Sequence, residues 1–124
     1  MESTVLICDN EDVLRGLVAA SLEGSGYRLV EARDGDEALE QARRTRPDLI
    51  LLDMMMPGRT GLEVLAELRR DADLAGIPVV MLTARAQATD REAAEAAGAD
   101  EFVPKPFSPA ALAGVVARLL DEAA

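Results

Sequence analysis

This sequence predicts an α/β fold, a doubly wound five-stranded parallel sheet in the order 2-1-3-4-5 covered by five helices. Three observations carry that prediction. The apolar runs VLIC at 5–8, LILL at 49–52 and PVVML at 78–82 are uninterrupted enough to be strands buried on both faces. Segments with helical spacing of apolar residues lie between them, with helix punctuation at their ends. Strand and helix alternate along the whole chain, which in one sheet demands right-handed crossovers and strands that all point the same way. Order 2-1-3-4-5 is a common solution for such a sheet.

Taken in order, VLIC is followed by Leu14, Leu17, Val18 and Leu22, which share one face of a first helix. YRLVEA, 27–32, reads as a shorter and weaker second strand. Asp34 and Glu37 have the spacing of a capping box and open a second helix. LILL is the third strand. Thr60 and Glu63 form another capping-box pair, ahead of Leu62, Leu65 and Leu68 at helical spacing. After PVVML, Thr89 and Glu92 repeat that spacing. The helix they open, 89–97, is rich in alanine and has no large apolar anchor, so it is expected to be the most loosely held of the five. EFVP, 101–104, is the fifth strand. Ser108 and Pro109 read as an N-cap and a proline at the first helical position, opening a last helix with Leu112, Val115, Val116, Leu119 and Leu120 inward. Gly26 and Gly98 are placed to end helices.

A chain of 124 residues fits one domain, here spanning 1–124. No apolar run approaches the ~18 residues that suggest a membrane span. The N-terminus lacks the basic start and cleavage site of a signal peptide, so the expectation is a cytoplasmic protein without membrane contact. Cys8, the single cysteine, has no internal disulfide partner and sits in an apolar run as a small hydrophobe. A net charge of −10 disfavours direct binding to nucleic acid, whose affinity comes largely from basic side chains. The absence of histidine excludes any triad that uses one and leaves carboxylates, hydroxyls and lysine to do chemistry.

In a doubly wound sheet, ligands bind beyond the carboxyl ends of the strands. The positions just past each apolar run are Asp9, Asn10, Glu11 and Asp12, then Asp53, Thr83 and Lys105. Carboxylates, an amide, a hydroxyl and an ammonium would thus converge on one edge. Hard oxygen donors of this kind suit Mg²⁺, which binds through one or two carboxylates and keeps waters for an incoming phosphate. Each residue alone has a plainer reading: Asp9, Asn10 or Asp12 as helix caps, Thr83 as an edge threonine, Lys105 as a solvated amine. Asp53 is harder to dismiss, because an acid closing the run DLILLD is costly at the edge of a core unless paired or metal-bound.

VLICDNED, PDLILLDMMMPGRTGLEVL, VVMLTA and GADEFVPKPF, in this order and at these intervals, resemble the receiver domain of two-component response regulators over residues 4–121. The resemblance implies a flavodoxin-like fold and a phosphoacceptor switch that is not an enzyme beyond its own phosphorylation and dephosphorylation. It places the phosphoacceptor at Asp53 and Mg²⁺ (or Mn²⁺) on Asp9, Asn10, Asp53 and the main-chain carbonyl of Met55. Lys105 is the phosphate-contacting lysine, with a cis bond to Pro106, and Thr83 and Phe102 are the switch pair. Phosphate on Asp53 would draw Thr83 inward and let Phe102 rotate inward, although Phe102 also reads as plain core. The implied partners are a sensor histidine kinase or histidine phosphotransfer protein, and a downstream target protein or an output domain, none of which lies within 1–124.

The sequence departs from the receiver pattern at Asn10, where a carboxylate is usual. An amide coordinates without charge, so weaker Mg²⁺ binding is expected. Met54, Met55 and Met56 read as gap-filling core rather than a binding surface. The positions of Met55 and Arg85 flank the phosphate in receivers, and a bulky Met55 is expected to hinder hydrolytic water. Receivers often dimerise through an arginine early in the last helix, but Ala113-Gly114-Val115 stands there, so a monomer or weak dimer is expected. Other readings are a pseudo-receiver, the same fold acting as a protein-binding module without phosphorylation, an aspartyl phosphatase and a flavin binder. The phosphatase would need an acid where Met55 stands, and the flavin binder would need stacking rings that one tyrosine and two phenylalanines barely supply.

Overall fold

In the computed structural model, which describes residues 2–84 and 87–123, the chain runs β1 (Thr4–Cys8), α1 (Asp12–Leu22), β2 (Arg28–Ala32), α2 (Gly35–Thr45), β3 (Leu49–Asp53), α3 (Gly61–Arg70), β4 (Val79–Thr83), α4 (Ala88–Ala97), β5 (Glu101–Pro104) and α5 (Pro109–Ala123). The strands form one parallel sheet in the order β2-β1-β3-β4-β5, as the sequence predicts. Every residue of β3 and β4 is buried, because helices cover both faces of these central strands.

Successive side chains on a strand point to opposite faces, and that alternation sorts the core into two layers. Leu6, Ile50, Leu52, Val79 and Met81 pack with residues of α2, α3 and α4. Val5, Ile7, Leu49, Leu51, Val80 and Leu82 pack with Val18 and Leu22 of α1 and Leu112, Val116 and Leu119 of α5. Cys8 is buried in the first layer, and burial pushes its thiol pKa well up, in keeping with an inert packing role. Met54 and Met56 are core, as expected, whereas Met55 is 49% exposed.

The caps agree with expectation at three helices. Thr60 and Glu63 form a reciprocal capping box at α3. Asp34 accepts from the Glu37 amide at α2, and Ser108 accepts from the Ala111 amide at α5. At α4 the expectation fails: the N-cap is Gln87, and Thr89 lies inside the helix, where its hydroxyl is two residues too late to cap. Gly98 ends α4 in the left-handed region at φ 101°. Gly26 does not end α1, whose C-cap is Glu23; it serves the turn into β2 at φ 81°.

Helix α4 has thin packing, with Ala94 its one buried residue. Its C-terminal end is tied down from outside by Arg69, which donates to the carbonyls of Gly98, Ala75 and Ile77 and to the Asp100 carboxylate. One α3 side chain thus joins the entries of β4 and β5.

Leu51 is fully buried between β1 and β4, while Leu17 on α1 is 54% exposed. Leu51→Ala is expected to cost about 2–5 kcal/mol in denaturant unfolding. Leu17→Ala should stay within about 0.5 kcal/mol, and equal costs would contradict this assignment of the core.

Candidate functional site

Parallel pairing brings the carboxyl ends of β1, β3, β4 and β5 to one edge. Cys8 is opposite Leu52, Asp53 opposite Leu82, and Thr83 opposite Pro104, so Asp9, Asp53, Thr83 and Lys105 emerge as neighbours. Three backbone bonds hold this edge in register. The Asp9 amide donates to the Ala32 carbonyl at 3.1 Å, the Met54 amide to Leu82 at 3.1 Å and the Lys105 amide to Thr83 at 2.7 Å.

Asp9, Asp53 and Thr83 are buried, and the Lys105 side chain is only 9% exposed. The Lys105 ammonium lies 2.9 Å from Asp9 Oδ2 and 3.4 Å from Asp53 Oδ2. One cation therefore offsets two carboxylates that would otherwise repel in a poorly solvated pocket. Asp9 Oδ1 accepts from the Glu11 amide at 2.9 Å, and Asp53 Oδ1 from the Met55 amide at 3.1 Å. Both carboxylates are thus oriented by their own chain two residues on, in Asx-type turns. The Lys105–Pro106 peptide bond is cis.

Burial pushes the Asp53 pKa above its ordinary value of 3.8. The Met55 amide and the Lys105 charge pull it back, Asp9 adds to the rise, and the net shift remains upward.

The remaining candidates fall around this centre. Asn10 is exposed on the loop after β1, beside Asp9 in sequence. Glu11 is the N-cap of α1, also exposed, and its side chain makes no capping bond; Asp9 holds the Glu11 amide just ahead of the helix. Phe102 is buried in the α3/α4 layer, 7% exposed, with the Arg91 guanidinium 5.3 Å from its ring centre. The expected inward rotation of this ring starts from a position that is already inward. Arg85, expected to flank the phosphate, lies outside the described residues.

Two contributors escaped the sequence reading. Gly61 opens α3 so close to β3 that a Cβ there would stand 2.4 Å from the Asp53 carbonyl oxygen. The glycine shows in the sequence, but the close approach arises only once α3 folds back on β3. Arg15 is buried on α1 and holds the Asp9 carbonyl. An arginine inside a helical period looks like surface.

The residues fit a hard divalent cation. Among the described residues no cluster of three or more His, Cys, Asp or Glu is placed to hold a metal. Asp9 and Asp53 are two buried carboxylates, hard donors of the kind Mg²⁺ takes alongside waters and phosphate.

A family model described as the response regulator receiver domain matches residues 5–117. The chain belongs to the receiver family. Receivers are phosphoacceptor switches that bind Mg²⁺ at an acidic site and take phosphate from histidine kinases or phosphotransfer proteins. This receiver is 44% identical over 119 residues to the phosphate regulon transcriptional regulatory protein PhoB of Klebsiella pneumoniae, an alignment covering 96% of this chain and 51% of PhoB. It is 41% identical to the DNA-binding response regulator MtrA of Mycolicibacterium smegmatis, with the same two coverages. The receiver thus spans about half the length of these relatives. Among solved structures it resembles the chemotaxis response regulator CheY4 of Vibrio cholerae, with a TM-score of 0.90, 32% identity and coverage of 96% of this chain and 99% of that one. No helix among the described residues is long and apolar enough to cross a membrane.

The raised Asp53 pKa has a sign that stability can report. The folded chain holds this proton to higher pH than the unfolded chain, so the stability gained from protonation is complete below about 3.8 and lost as pH rises through the folded pKa. Asp53→Asn is therefore expected to raise the melting temperature at pH 7, with the gain shrinking as pH falls toward 3.8. A gain independent of pH would contradict the assignment.

Proposed function

We propose that this receiver accepts a phosphoryl group on Asp53. The observation that carries this reading is the pair of buried carboxylates, Asp9 and Asp53, sharing the Lys105 ammonium at the strand edge. Asp53 Oδ2 attacks the phosphorus of a donor phosphohistidine. The P–N bond breaks as the P–O bond forms, and the electron pair leaves with the imidazole nitrogen, which takes up a proton. Lys105 neutralises charge on the transferring oxygens from its position between the two acids. Asp9, Asn10, Asp53 and the Met55 carbonyl are the residues that would hold Mg²⁺, which supplies further neutralisation of phosphoryl charge. Thr83, buried at the end of β4, would bond a phosphoryl oxygen and pass the change to Phe102 and α4.

A donor protein has a surface to meet. A groove of about 340 Å³, lined by Leu14, Leu17 and Ala20 of α1 and by Phe107 and Pro109 before and at the start of α5, includes Lys105 in its wall. This apolar surface is continuous with the site, and it suits an apolar helix face of a histidine kinase or phosphotransfer protein. On the opposite flank, Arg118 of α5 is engaged by Glu101 at 2.6 Å and Glu122 at 3.3 Å, and Val115 is half-buried. The absence of an arginine at Ala113-Gly114-Val115 supports a monomer or weak dimer. The output is a downstream target or an output domain, and the setting is the cytoplasm.

Intact mass after incubation with acetyl phosphate tests the reading. The native chain is expected to gain one phosphoryl group only with Mg²⁺, and Asp53→Ala to gain none. No gain under any divalent metal would leave the protein-binding pseudo-receiver in its place.

Met55 stands 49% exposed beside Asp53, its amide bonded to the carboxylate. Met55→Asn is expected to shorten the lifetime of the phosphorylated chain by admitting and orienting water. An unchanged decay rate would show that the Met55 side chain does not shield the phosphate.

A further inference from the structure

Arg15 is the buried charged side chain to which phosphoryl transfer assigns no task. It sits one turn into α1, 9% exposed, and its guanidinium joins three parts of the fold. One terminal nitrogen donates to the Asp9 carbonyl at 2.8 Å. Nε donates to Glu31 Oε1 of β2 at 2.9 Å, and the other terminal nitrogen donates to Asp12 Oδ1. This use of a rigid planar fork is beyond the reach of a lysine. Asp9 is consequently held on both sides: its carbonyl by Arg15, its carboxylate by the Glu11 amide and Lys105. Asn10 lies between two backbone positions, Asp9 and Glu11, that are each fixed.

We propose that Arg15 is a positioning residue for the cation site, locking the Asp9 carbonyl so that the Asp9 carboxylate and the Asn10 amide are presented to Mg²⁺ in one geometry. The inference rests on the receiver reading. With a neutral amide at position 10, the site has less charge with which to attract the ion. Preorganisation of the donors therefore carries more of the affinity.

Electrostatics alone gives the opposite expectation, which makes the inference testable. Removing a positive charge close to a cation site should tighten binding. Removing a lock on its ligands should weaken it, and supporting partners of metal ligands are typically worth 10- to 100-fold in affinity.

Mg²⁺ titration by calorimetry would be carried out on the native chain, Arg15→Gln, Arg15→Lys and Glu31→Gln. The expected result is a loss of about tenfold or more in Arg15→Gln and a loss also in Arg15→Lys, which keeps the charge without the fork. Glu31→Gln, which leaves Arg15 in place but loosens its anchor, is expected to lose less. Unchanged or tighter binding in Arg15→Gln overturns the inference, and so does full affinity in Arg15→Lys. Metal-free hydrogen exchange supplies an independent readout: the Glu11 amide, bonded to Asp9 Oδ1, should exchange faster in Arg15→Gln while the Leu51 amide does not change. Equal Glu11 rates overturn the lock. Should Arg15→Gln fail to fold, Glu31→Gln decides by the same two measurements, with native values for both overturning the inference. A native chain that takes up no Mg²⁺ removes the cation site and the inference together. Failure of the inference alone differs, because the native chain and the variants would then bind equally.

Discussion

Lys105 reaches from the end of β5 to a point within 3.4 Å of two buried carboxylates that arrive on different strands. Asp9 and Asp53 cannot share that edge as anions without a cation between them, because burial withholds the water that would screen their repulsion. The topology supplies the remedy. A parallel sheet sends every carboxyl end to the same side, so the lysine after β5 and the acids after β1 and in β3 meet although 96 residues separate the outer two. The bond from the Lys105 amide to the Thr83 carbonyl fixes how far the chain runs before the lysine turns in.

Much of this was legible because its signals are local. Three apolar runs gave the central strands, and the rule that ligands gather at the carboxyl edge selected Asp9, Asp53, Thr83 and Lys105 without reference to any family, together with Asn10, Glu11 and Asp12, which are exposed. The structure brings those four together. Misreadings arose where the deciding contact is distant or where two local signals compete. Thr89 has capping-box spacing to Glu92, yet α4 starts one residue before it, with Gln87 as its N-cap. Gly24 and Gly26 both take positive φ after α1, and spacing does not tell which of them would end the helix; neither does. Met55 is exposed between two buried methionines, a distinction that follows from the turn after β3 rather than from residue type. Arg15, Arg69 and Gly61 are structural through partners elsewhere in the fold, and nothing within a few residues of each announces them.

The two halves of the site differ in how their charges are balanced. Lys105 serves the inner carboxylates, where Asp53 keeps a raised pKa because burial outweighs its favourable contacts. Arg15 serves the outer shell, where Asp12 and Glu31 flank a loop already rich in acids. Placing the neutral Asn10 between these two groups relieves repulsion in a chain whose net charge is −10. The same substitution leaves the geometry of the remaining donors with more to do.

Gly61 gives the site a mechanical polarity. Its α-carbon lies so near the Asp53 carbonyl that not even a methyl group fits, and its amide is bonded to the Met54 carbonyl at 2.9 Å. Strand β3 and helix α3 are therefore a single stiff body at this point. In the same layer, α4 contributes a single buried alanine beside the buried Phe102. The α3 side of Asp53 is thus braced by a backbone contact, whereas α4 is held by little apolar packing.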